Sequence, residues 1–176
     1  MGNKERERPL QNTEAPTTSK RVEVLLWCVA LPGFGQLLNR KYVKGVLFLG
    51  LELLINLQSN FNTAIQLSFR GQIDKAISQT DYQWLMFYPC LYLFSLWDAY
   101  RDAGGGGSPY AFLPFVSSAF FTTVGLIYSS NVILFGSLWG PVWLPILFCI
   151  IGFSLGWLLK GFLNWVSRRC CAGRSV

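Results

Sequence analysis

Apolar and polar positions divide the chain into five greasy runs separated by polar stretches. The runs cover residues 22–38, 42–57, 82–97, 110–130 and 142–159. Each is long enough, at 1.5 Å per residue, to form a helix approaching the roughly 30 Å of a bilayer core. The first run is interrupted by Pro32-Gly33-Phe34-Gly35. Proline removes a backbone donor and glycine loosens the turn after it, so this run predicts a broken span or a re-entrant hairpin hinged at Pro32, Gly33 and Gly35. The second carries Glu52, and the third carries Pro89. The last two have no charge. Residues 131–141, with Gly136, Gly140 and Pro141, read as an interfacial turn.

Between the second and third runs lies a stretch that is polar on balance, residues 58–81. Its Phe61, Ile65, Phe69, Ile73 and Ile77 recur every four positions, which keeps them on one broad helical face. That pattern predicts an amphipathic helix lying on the outer leaflet, as a cap over the spans or a docking surface for a partner. The chain therefore divides into a disordered tail 1–21, a helical unit 22–102 with the insert 58–81, a glycine-rich linker 103–109, a helix pair 110–160 and a basic juxtamembrane tail 161–176. The expected class is all-α: a polytopic transmembrane helix bundle with a broken N-terminal helix and an amphipathic extracytoplasmic helix.

Composition agrees. The chain is 52% hydrophobic and 14% charged, against about 25% charged in a soluble domain. It has no histidine, which excludes Ser-His-Asp and Cys-His nucleophile systems and histidine-ligated metals. No CxxC occurs, so neither a zinc nor a thioredoxin signature is present. Cys28, Cys90 and Cys149 sit in apolar runs as small hydrophobes, while Cys170 and Cys171 follow Arg168-Arg169, a setting compatible with S-acylation. No cofactor is expected. The net charge of +6 gathers at the ends of the apolar runs rather than over one face, which argues for anionic lipid headgroups and against nucleic acid.

Cations then choose an orientation. With Arg40, Lys41 and Lys44 inside, a re-entrant 22–38 puts 13 basic residues inside and 2 outside, whereas a full crossing gives 8 against 7. The first arrangement satisfies the positive-inside bias, with both termini cytoplasmic. Arg40, Lys41, Lys44, Lys160, Arg168 and Arg169 are then expected at the phosphates.

Candidate chemistry is sparse. Glu52 lies near the middle of a span, where a charge costs roughly 2.5–3.5 kcal/mol on insertion scales. It reads as a packing carboxyl, a partner for Arg40 or Lys44, or a proton or cation site. Gln36 and Asn39 are placed to satisfy backbone groups freed by the Pro-Gly break. Gly152 and Gly156 form a GxxxG that lets two helices approach closely, internally or in a dimer. Asp98 and Asp102 flank Arg101 in what reads as a loop, which fixes no acid dyad. Gly104–Gly107 lacks the Lys-Ser/Thr of a phosphate loop. No enzymatic activity is expected.

The stretch Leu31-Pro-Gly-Phe-Gly-Gln-Leu-Leu-Asn-Arg-Lys-Tyr-Val-Lys-Gly45 resembles the PGxGQ…Y…KG pattern of small bacterial TM2-like membrane proteins. In that family two apolar helices flank a short polar turn and a Trp-Asp pair closes the unit. Trp97-Asp98 stands in that place here, displaced by the 58–81 insert. The likeness is close over 31–45 and loose over about 25–102. The PGxGQ opening is also similar to the N-terminal stretch of some bacterial sugar ABC transporter permeases, whose Glu-Ala-Ala coupling loop is missing. The resemblance implies a multi-pass protein of the bacterial plasma membrane. Two roles follow as expectations: a non-enzymatic accessory or scaffold subunit with a membrane-protein partner or as a homo-oligomer, or a transporter component with Glu52 in its path.

Overall fold

A computed structural model of the chain describes residues 18–172, with side chains described to Arg169. The expected tail therefore lies outside the described residues except for its last four positions, as do the Cys170 and Cys171 side chains. The fold is all-α apart from one two-residue antiparallel ladder. Helix α1 spans Thr18–Ala30, α2 Phe34–Leu38, α3 Tyr42–Ser59, α4 Phe61–Phe69 and α5 Ile73–Gln79. Helix α6 spans Tyr82–Leu85, α7 Tyr88–Asp102, α8 Leu113–Tyr128 and α9 Gly140–Ala172. Strands β1 (Ile133–Leu134) and β2 (Ser137–Leu138) join α8 to α9.

Helix α7 is the hub. Its buried face carries Leu93, Leu96, Ala99 and Ala103, which cluster with Val24 and Cys28 of α1 and Phe115 of α8. The α1–α2 segment is a hairpin. Gly33 takes φ +98, and the chain turns back, so α1 meets α7 near Val29 and Tyr92 while α2 returns past Ser95 and Ala99. Residues 18 and 40 consequently lie toward the same end of the bundle. The turn is glycine by necessity: a Cβ at Gly33 would sit 2.6 Å from the Gly45 carbonyl oxygen, and one at Gly35 only 3.0 Å from the Ala99 Cβ.

Helices α8 and α9 form the second unit, an antiparallel pair in near-contact of backbones. A Cβ on Gly152 would stand 2.7 Å from the Ser117 carbonyl oxygen, and one on Gly156 2.6 Å from Pro114 Cα. The GxxxG face is thus occupied by α8 within the same chain. Helices α4 and α5 cover the end where α3 finishes and α9 begins. Phe69 packs its ring 4.9 Å from that of Trp143, and Trp143 Nε1 donates to the Ser68 carbonyl at 3.4 Å.

Several element boundaries differ from expectation. The insert 58–81 is not one helix: it breaks at Gly71 (φ +72), and its buried positions are Ser59, Ala64, Ser68, Ala76 and Thr80, with the large apolar stripe only partly covered. The third run splits at Met86-Phe87, because Pro89 cannot bond backwards inside a helix and instead starts α7 in its first turn. Helix α7 continues through Asp98 to Asp102, so both aspartates are helical and not in a loop. The glycine linker is a packed 3-10 turn, Gly105–Gly107, with Gly105 seated against the Tyr100 ring. The basic stretch expected as a tail from 161 onward continues α9 to Ala172.

The outer faces of the helices are apolar like the core, and the core also holds polar side chains. Helix α3 turns Gly45, Phe48, Glu52, Ile55 and Ser59 inward, while Val43, Val46, Leu47, Leu53 and Leu57 face out. Val43 is 85% exposed and Leu57 73%. Among the described residues, one helix, Gly140–Arg169 within α9, is long and apolar enough by itself to cross a membrane. Only 28% of its most apolar stretch is buried in the fold, unlike the core helix of a soluble protein. Helix α8 is apolar but shorter.

Candidate functional site

Two polar constellations lie inside this apolar fold. The first locks the hairpin to α7. The Pro-Gly turn aims α2 inward, and Gln36 is fully buried. Its Nε2 donates to the Ser95 carbonyl at 2.9 Å, and the Cys28 thiol lies 3.8 Å from its Oε1. Asn39 Nδ2 donates to the Ala99 carbonyl at 2.8 Å. Gln36 and Asn39 thus satisfy carbonyls of a neighbouring helix rather than those freed at the Pro32 break.

One turn further along, the same end of the bundle gathers charge. Lys44 Nζ reaches Asp98 at 2.8 Å and Asp102 at 3.3 Å, and Arg101 Nη2 donates to Asp98 at 2.9 Å. The Asp98 side chain is 4% exposed, the Lys44 side chain 42%. Lys44, expected at the phosphates, is thus paired with two aspartates. A carboxylate sealed under helices needs a counter-charge, and Lys44 supplies it. It also separates Lys44 from Glu52, which lies eight residues, about 12 Å, further up α3. Arg40 and Lys41 are exposed at the turn, with Arg40 held at φ +59. Trp97, beside Asp98 in sequence, packs among Tyr100, Phe112 and Phe115 and braces α7 on α8.

Along α9 the cations are exposed or half-exposed and sit on aromatic faces. Lys160 Nζ stands 5.3 Å from the Trp157 ring centroid and the Arg169 guanidinium 4.0 Å from that of Trp165. Arg168 is exposed on the last turns.

The second constellation surrounds Glu52. Glu52 is buried at 7% exposure and faces a half-open cavity of about 440 Å³ lined by residues of α1, α3, α4, α6, α7, α8 and α9. The hairpin tip at Pro32 forms the floor and Phe61, Ile65 and Phe69 of α4 the roof. Tyr88 and Tyr92 line one wall, Thr122 and Leu126 another, and Pro141, Pro145 and Cys149 the third. The Tyr88 hydroxyl neighbours the Glu52 carboxyl, while Glu52 Oε2 has no hydrogen-bond partner among the described residues.

The structure therefore brings Gln36, Asn39, Lys44, Asp98 and the Pro32-Gly33-Gly35 hinge together on α7. It keeps Glu52 apart from every basic residue named above, and it places Gly152 and Gly156 on the far helix pair. Sequence reasoning missed Tyr88, Tyr92 and Ser95. Their spacing, continued by Ala99 and Asp102, marks one helical stripe that a search of the third run for polar periodicity would find. No protein-family model, curated protein or solved structure matches the chain.

Proposed function

We propose that this chain is a multi-pass integral membrane protein of the TM2-like kind, with four spans and a re-entrant N-terminal hairpin, that acts as a non-enzymatic accessory or scaffold subunit. The observation that carries the reading is the apolar exterior over a core that holds polar side chains. Leucine, valine and phenylalanine cover the outside of α3, α8 and α9, while Gln36, Glu52, Ser95, Asp98 and Ser118 are buried. Water would penalise that outer surface. Hydrocarbon does not, and it rewards small-residue and hydrogen-bonded contacts between helices such as those of Gly152, Gly156 and Ser118. The cations along α9 suit an anionic headgroup layer, and the uncovered apolar face of α9 suits a neighbouring membrane helix.

In this reading the hairpin and the α7 charge cluster act as a rigid plug at the cytoplasmic end, and α9 presents Ile150, Trp157 and Leu158 outward. The test has two parts. The chain should stay with alkali-washed membranes and require detergent for extraction. A photo-crosslinking residue at Leu158 should then yield one discrete protein adduct in native membranes. A polypeptide that is folded and monodisperse in detergent-free buffer overturns the membrane reading, and lipid adducts alone overturn the scaffold role. The second reading, a transporter component, is favoured by one feature, the Glu52 cavity. It expects Glu52→Gln to abolish flux while leaving extraction and folding unchanged.

A further inference from the structure

The polar groups that face the Glu52 cavity are mostly acceptors, and the donor among them, the Tyr88 hydroxyl, stands beside the Glu52 carboxyl. Glu52 Oε2 is an acceptor without a partner in its ionised form. The Thr122 hydroxyl donates to the Ser118 carbonyl at 2.6 Å, so its free capacity is as an acceptor. The Tyr92 hydroxyl donates to the Val29 carbonyl at 2.9 Å. Pro145, inside α9, brings no N–H to the carbonyl of Pro141, which also borders the space. Among the described residues no Lys or Arg lines the cavity. The rest of the wall is aliphatic and aromatic.

We infer that this cavity is a binding site for a small lipophilic amine, its ammonium group on Glu52 Oε2 and its apolar body against Tyr88, Leu126, Ile65 and Pro145. A volume of 440 Å³ lies within the range of small-molecule pockets, in which an apolar wall and a few convergent polar groups set orientation. A wall of acceptors around one acid, with its donor, the Tyr88 hydroxyl, beside that acid, selects a ligand that brings donors. A carboxylate or phosphate ligand would meet an acid and, among the described residues, no Lys or Arg. A pure hydrocarbon would leave the carboxyl oxygen unpaired in a low-dielectric space, which costs about 1–3 kcal/mol or more. The inference stands on the cavity alone and holds for either role of the chain.

The test uses the full chain in phosphatidylcholine nanodiscs with 1-naphthylmethylamine as probe. Its N-acetyl derivative, which keeps the body and removes the charge, and 1-naphthylacetate serve as controls. The amine should bind at one saturable site, at least tenfold more tightly than either control. Glu52→Gln should abolish that preference, and Ile65→Trp, which fills the roof, should abolish binding. Uptake no greater than that of empty discs overturns the proposal. So does an N-acetyl derivative that binds as well as the amine, a comparison that needs no variant and survives any folding defect of Glu52→Gln. Loss of the Leu158 crosslink would leave this result untouched, so the two proposals fail separately.

Discussion

At Asp98 three side chains settle a problem that none of them could settle alone. The carboxylate is sealed between α7 and its neighbours, while Lys44 and Arg101 remain half in solvent. Removing Lys44 leaves a buried carboxylate with one partner, whereas removing Asp98 leaves two cations that water can solvate. Lys44→Met should therefore destabilise the detergent-solubilised protein more than the double variant Lys44→Met/Asp98→Asn does. A double-mutant cycle read by thermal unfolding should return a coupling of about 0.5–3 kcal/mol, and additive effects would show that the pair is only incidental. Glu52 and Gln36 were legible in the sequence because each is polar within an apolar run, and Asn39 because it follows the Pro-Gly break at the end of the first. Their partners were not legible. Gln36 meets Ser95 and Asn39 meets Ala99 across about sixty residues, and no local pattern encodes which helix a side chain will face. The pairing of Lys44 with Asp98 was hidden for the same reason, since reading Asp98 as part of a loop removed it from any helical face.

At the scale of elements, composition gave the apolar helices and their order, and punctuation gave the hairpin. Pro32-Gly33 breaks the first run where the structure turns. The errors also have local causes. Pro89 read as lying inside a span begins α7, Gly71 divides the amphipathic insert, and four glycines read as a flexible tether coil tightly because Tyr100 and Arg101 fill the space their missing side chains leave. The GxxxG of α9 illustrates the limit of a motif. Gly152 and Gly156 predict close approach, but only the fold says that the approaching helix is α8. Because the atoms nearest to a Gly156 Cβ are backbone atoms of Leu113 and Pro114, no rotamer change can relieve a larger side chain there. Gly156→Leu should force α8 and α9 apart and cost about 1–3 kcal/mol, lowering the thermal midpoint in detergent. Gly161→Leu, one further turn along the same helix with open space around it, should leave the midpoint unchanged. Equal effects from the two would move the close contact elsewhere.

For the whole molecule, the hairpin decides which end carries the positive charge. Because α2 returns toward the end it came from, Thr18, Lys41, Asp98 and the Gly105–Gly107 turn share one end of the bundle, and α4 and α5 the other. A bilayer around the outward leucines of α3 and α9 would then separate a strongly basic end from one whose cations among residues 58–81 are Arg70 and Lys75 alone. The positive-inside bias would hold the basic end in the cytosol. A full crossing by residues 22–38 would instead carry Lys20 and Arg21 to the opposite face and erase most of the asymmetry. In a chain with its native cysteines replaced, Asp74→Cys should react with a membrane-impermeant maleimide on intact cells. Lys20→Cys and Gly106→Cys should react only after permeabilisation. Labelling of Lys20→Cys from outside would turn the hairpin into a true span, and matching behaviour of Asp74→Cys and Gly106→Cys would remove the bilayer from between the two ends. The second result would leave the buried hydrogen bonds of Gln36 and Asn39 intact, because they depend on the hairpin and α7 and not on lipid, whereas the first would remove the turn that delivers them. Topology and packing thus meet at the hairpin: the first is set by where charge meets the membrane, the second by which polar atoms the hairpin delivers to α7.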